Sequence, residues 1–217
     1  MKQVQETKQM ADIAARWITE GAESTGATTV NYSGTLYNVK GSTSDPYIGG
    51  TKWKPLLIHY GINSACYVTS PLPTKTGTSH PGFDVGGHMT PNTDGDVAIG
   101  GSCYLMPLCK WHNNTARDDT AFSHTNTLML LLTGYMQGEL AVSFMARLPS
   151  NEPFSLAYSS DGHWQHKNLS EPEATEIKTS GVSSNLLNCK LEHYVLLERN
   201  VQGDQTTYEV RSSHLPS

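Results

Sequence analysis

Cys109-Lys110-Trp111-His112-Asn113 sets a thiol and an imidazole either side of two residues, with a carboxamide directly after. Thiolate and imidazole are the donor types that zinc prefers. Upstream, His88 stands between glycine-rich stretches, Gly86-Gly87 before it and Gly95 to Gly101 after it. GGHM, then TPNTDGDVAIGG, then CYLMPL reads as a β-hairpin with a polar tip, and CKWHNNTARDD begins a short helix after the second strand. A strand, turn, strand, helix unit of this kind can bring a histidine on the first strand opposite a helix side chain. A metal ion and a scissile phosphate fit between the two.

This stretch resembles the centre of the HNH endonucleases, the His-Me or ββα-metal finger, and most closely the phage endonuclease VII variety. Gly87-His88 corresponds to the catalytic dipeptide, and Leu108-Cys109-Lys110-Trp111-His112-Asn113 to the Leu-Cys-x-x-Cys-Asn element, with His112 in place of the second cysteine. The resemblance implies a metal-dependent nuclease or phosphodiesterase. His88 is then the general base that activates water. Asn113 is a ligand to a catalytic Mg²⁺ or Mn²⁺. Two positions depart from the family. Gly87 stands where an acidic metal ligand usually precedes the histidine, which leaves Asp84 as a substitute, and Tyr104 stands where many members have an asparagine. The same resemblance implies a structural zinc on Cys109 and His112, completed by Cys66 and His80 upstream, with Cys103 as a competing thiol. The expected finger spans residues 66–118. A second class of function keeps the finger as a non-catalytic scaffold for binding or interaction. A third, a metalloenzyme other than a nuclease, would use His163 and His166 with the nearby carboxylate of Asp161.

The elements that must position these residues are legible in part. Met10, Ile13, Ala14, Trp17 and Ile18 recur at helical spacing and Gly21 closes the run, which predicts an N-terminal amphipathic helix over residues 3–20. Residues 22–50 carry two strand-like pieces, TTVNYSG and TLYNVKG, that suit a hairpin or an extended arm. Trp53, Leu56, Leu57, Ile58 and Tyr60 begin the central core, and SPLPTKTGTSHPGF is a loop. ELAVSFMARL suits a strand or a short helix equally. The spacing in DGHWQH favours a helix or turn over a strand. LEHYVLLERN, a turn at Gln202 to Asp204, and TTYEVRSS read as a hairpin.

Composition narrows the class. The chain has 217 residues, 37% hydrophobic and only 16% charged, with 19 glycines and 11 prolines, a balance that favours β-rich over helical-bundle folds. The expectation is one α+β domain over 1–217, with the finger embedded in a β-rich body. A net charge of −5, with dispersed lysines and arginines, does not favour a broad nucleic-acid footprint. The first residues lack the apolar core of a signal peptide, and the longest apolar run, LMLLL, is too short to span a bilayer. These features predict an intracellular protein with no membrane association. Four cysteines are too few for a disulfide scaffold of this length.

Overall fold

The computed structural model describes residues 2–42, 52–136, 138–183 and 186–216. In chain order its elements are α1 (Lys2–Glu20), β1 (Ala22–Glu23), β2 (Gly26–Asn31), β3 (Tyr37–Asn38), α2 (Trp53–His59), β4 (Val68–Ser70), β5 (Val85–Thr90) and β6 (Gly101–Leu108). A 3₁₀ turn (Thr115–Arg117) leads to β7 (Ser123–His124), β8 (Leu128–Tyr135), α3 (Ala141–Ala146), β9 (Phe154–Ser160), β10 (His163–Leu169), α4 (Glu171–Ser180), β11 (His193–Gln202) and β12 (Gln205–His214). The result is a mixed, strand-rich fold whose sheets are antiparallel. None of the described helices is long and apolar enough to cross a membrane. By its contacts the chain divides into two compact units: Met1–Thr25 with Pro46–Thr51 and Leu140–Ser217, and Gly26–Asp45 with Lys52–Glu139.

The first unit is a five-stranded sheet in the order β1-β12-β11-β9-β10, with helices on both faces. On one face Met10, Ile13, Ala14 and Trp17 of α1 pack with Ala157, Val195 and Leu197; on the other, Ala174 and Ile177 of α4 pack with Leu156, Tyr158 and Leu196. This double cover explains why every residue of β9 is buried. The α1 stripe lies where the periodicity placed it, except that Ile18 is exposed. A capping box between Ser170 and Glu173 starts α4, in the stretch SEPEATEIKTSG. ELAVSFMARL resolves into the short helix α3.

DGHWQH is a strand, not a helix. Asp161 and Gly162 both take positive φ, the two-residue turn that joins β9 to β10, so Asp-Gly was the informative signal there. His163 and His166, three apart on a strand, therefore point to opposite faces and form no common metal site. The C-terminal hairpin β11–β12 turns at Gly203-Asp204, as its sequence predicts.

Arg199 of β11, only 9% exposed, ties down the 148–153 loop. Its guanidinium donates to the carbonyls of Leu148, Ser150 and Glu152 and to the Tyr208 hydroxyl. Arg199→Met takes the guanidinium donors from the Ser150 and Glu152 carbonyls and leaves Leu148 only the Tyr208 hydroxyl, and should cost about 2 kcal/mol, read as a lower denaturant midpoint with unchanged m-value.

The second unit is built on a sheet in the order β2-β8-β6-β5-β3, with a small β4–β7 pair beside it. The strand pieces of residues 22–42 form neither a hairpin nor an arm. β2 and β3 take opposite edges of this sheet, pairing with β8 and β5. Residues 43–50 of that stretch lie outside the described residues. α2 crosses the sheet on the face of Gly86 and His88: a Cβ on Gly86 would sit 2.9 Å from the Trp53 backbone, so only glycine admits the helix this close. Trp53, Leu56 and Leu57 are buried beneath it, whereas Ile58 is 43% exposed.

Candidate metal centre

β5 and β6 form the expected antiparallel hairpin, with His88 opposite Leu105 and Val85 opposite Leu108. The chain then departs from a ββα finger. Cys109 to Asn113 is a tight turn, in which the Cys109 carbonyl accepts from both the His112 and Asn113 N–H groups, and only one 3₁₀ turn follows. Asn114 caps that turn by accepting from the Ala116 N–H, and the following residues run on without an α-helix.

This turn and the loop before β5 bring four donors together. One ligand atom from each of Cys66, His80, Cys109 and His112 lies within 4.8 Å of the others. His112 Nδ1 is 3.1 Å from Cys109 Sγ and 3.4 Å from Cys66 Sγ, and His80 Nδ1 is 3.8 Å from Cys109 Sγ. A tetrahedral zinc with usual bond lengths requires sulfur–nitrogen edges of about 3.6 Å. The group could therefore hold a metal such as zinc, with four protein donors. Cys109 and His112 are fully buried and Cys66 nearly so. Cys103 stays on β6, buried in the sheet core and outside the group.

The surroundings orient the donors. His112 Nε2 lies 2.9 Å from the Pro71 carbonyl, which can only accept, so Nε2 carries the proton and Nδ1 presents its lone pair to the two sulfurs. Asn38 Nδ2 donates to the His112 carbonyl at 2.9 Å, and Ser79 Oγ accepts from the Trp111 N–H. Asp84 Oδ2 accepts from the Lys110 N–H at 2.9 Å, which makes it a brace for the turn. The Cys66 N–H donates to the Pro81 carbonyl. The sulfurs themselves are unequal. The Cys66 thiol is pushed up, chiefly by its hydrogen bond to Cys109 and then by burial. Cys109 is held well below the usual thiol range, first by the Cys66 hydrogen bond and further by the His112 backbone N–H. A thiolate at Cys109 is the form that binds a metal.

His88 is placed quite differently. It is 2% exposed, with its ring stacked on Tyr135 at 4.5 Å and edge-on to Trp53 at 4.4 Å. Its Nε2 has no hydrogen-bond partner, and burial lowers its pKa to about 3. Asn113 lies across the strand. A Cβ built on Gly87 would point the other way from His88 and meet Asn113 Oδ1 at 3.3 Å. The two residues paired by the nuclease resemblance thus occupy opposite faces of β5.

The same geometry explains Gly87. Its Cβ would lie 2.2 Å from Leu108 Cδ1, so the space an acidic side chain would need belongs to Leu108. Gly87→Asp, which restores the acidic residue usual in the family, should lower stability by about 3 kcal/mol through overpacking and a poorly solvated charge. A thermal melt reads the loss, and a variant as stable as the parent would mean that Leu108 yields freely.

No family model, curated protein or solved structure matches this chain.

Proposed function

We propose that this chain is a non-catalytic binding module whose second unit is stapled by a structural zinc on Cys66, His80, Cys109 and His112. The observation that carries this reading is the contrast between two histidines. His112 is oriented by Pro71 toward two sulfurs, whereas His88 is sealed between Trp53 and Tyr135. Four protein donors leave no open coordination position, the pattern of structural rather than catalytic zinc. Two sulfurs and two imidazole nitrogens favour zinc over Mg²⁺ or Mn²⁺, which take oxygen ligands.

The phosphodiesterase reading has the hairpin and the Cys-x-x-His-Asn turn in its support. It also requires water and a phosphate to reach His88, and a base whose conjugate acid has a pKa near 3 removes protons poorly at neutral pH. The deciding experiment joins elemental analysis of purified protein to a cleavage assay. One equivalent of zinc per chain, with no cleavage of DNA or RNA in Mg²⁺ or Mn²⁺, is expected. Cleavage that the His88→Phe variant loses while remaining folded would overturn the scaffold reading in favour of the nuclease.

A further inference from the structure

The second unit carries an open surface cleft of about 460 Å³, lined by Gly61 to Ser64, Tyr67 and Thr125 to Leu128. That volume is in the range of small-molecule sites, roughly 300–1,000 Å³. Its chemistry is unusual for such a site because no lining residue is ionisable in the physiological range. The Tyr67 hydroxyl is already committed to the Leu128 carbonyl, and Thr127 Oγ1 to Asn31. Asn63, Ser64, Thr125 and Asn126 remain; all are exposed, and none has a side-chain hydrogen bond among the described residues. They present two carboxamides and two hydroxyls, groups that each donate and accept. Leu128, 41% exposed, adds one apolar patch.

We propose that this cleft binds a neutral polyhydroxylated ligand, a mono- or disaccharide. Sugar hydroxyls also both donate and accept, so they match carboxamides and hydroxyls without a charge on either side. A C–H face of the ring covers Leu128. A charged ligand finds no counter-charge in the lining, and a largely apolar ligand would strand the carboxamides. The proposal deepens the binding-module reading and rests on it, because one wall is held by the metal centre. Ser64 lies two residues before Cys66 and Tyr67 directly after it, and the Tyr67 N–H is bonded to the Pro107 carbonyl at the end of β6. A metal on Cys66 would therefore steady the wall of Asn63, Ser64 and Tyr67, and the Tyr67 hydroxyl ties that wall to the other at the Leu128 carbonyl.

The test is NMR titration of the full-length, zinc-loaded protein with glucose and N-acetylglucosamine, with glucuronate and glucosamine as charged counterparts. Expected are saturable shifts of the amides of residues 61–67 and 125–128 with at least one neutral sugar, at least tenfold weaker with the charged ones. Asn126→Ala and Ser64→Ala, both at exposed positions, should each weaken binding several-fold with an unchanged melting temperature. Absence of saturable shifts with either neutral sugar in a zinc-loaded, folded sample overturns the cleft proposal and leaves the scaffold reading standing. Charged sugars that bind as well as the neutral ones also overturn it. Sugar binding that persists when the chain holds no zinc overturns the claim that the metal steadies this wall and leaves the cleft proposal standing.

Discussion

Cys109→Ser should abolish metal retention and unfold the second unit at temperatures where the parent is stable. Cys109 is the hub of the group, its sulfur being the one within reach of both imidazoles. Its carbonyl also closes the turn that carries His112. Metal binding by ligands that are brought together only on folding contributes directly to folding free energy, about 10–16 kcal/mol for small zinc-finger peptides. Here the sheet core of β5, β6 and β8 exists independently, so the loss should be smaller, on the order of 4 kcal/mol. For a unit of this size that corresponds to a fall in melting temperature of roughly 15 °C. Differential scanning calorimetry with and without a chelator measures it. If chelation leaves the parent's melting unchanged, the four side chains do not hold a stabilising metal. Cys103→Ser provides the comparison at a buried thiol outside the group: it should lose some packing and no metal.

The second large effect is acid sensitivity centred on His88. Its pKa in the folded chain is depressed by burial to about 3, against 6.5 in an unfolded chain. The neutral imidazole is thus the folded form, and its contribution is complete above pH 6.5. Between pH 6.5 and 3 the unfolded chain binds a proton that the folded chain refuses, so stability falls as pH falls through that window. Over the whole window the linkage amounts to roughly 4–5 kcal/mol. A metal held by the four side chains would also be released at low pH, because thiolates and imidazoles must be deprotonated to bind. His88→Phe separates the two. It keeps an aromatic ring between Trp53 and Tyr135 and removes the unpartnered Nε2, so it should be near-neutral at pH 7 and increasingly more stable than the parent as pH falls. Denaturant titrations at several pH values give the difference. A gap that stays constant from pH 7 to 4 would mean that His88 is hydrated or partnered in solution. The same variant is the folded control for the cleavage assay.

The candidate metal centre was largely legible because its donors are chemically distinctive and two of them share a turn. A Cys-x-x-His pair declares itself at any point in a chain. Cys66 and His80 were weaker as sequence, separated by thirteen residues of proline-rich loop, and what joins them is the return of that loop along β5 and β6. The role of Asp84 was not legible. A carboxylate four residues from a histidine suits a metal as well as it suits a backbone amide, and the Lys110 N–H is brought to it only by the turn after β6.

His88 illustrates the opposite case. Its neighbours in sequence suggest a catalytic strand, but strand alternation sends it toward α2 while Gly87 faces Asn113. Which face is covered depends on Trp53, thirty-five residues away, and on Tyr135 from another strand. The amphipathic stripe of α1, the β11–β12 turn and the hairpin around residues 91–100 depend on contacts or dihedrals local to the chain, and periodicity and turn chemistry report those directly. The placement of β2 and β3 at opposite sheet edges, the burial of His88 and the occupation of Gly87's side-chain space by Leu108 are products of packing between distant segments. Residue type and spacing therefore pointed to the donors of a candidate metal group, while the tertiary fold alone decided which histidine faces two sulfurs and which is enclosed in the core.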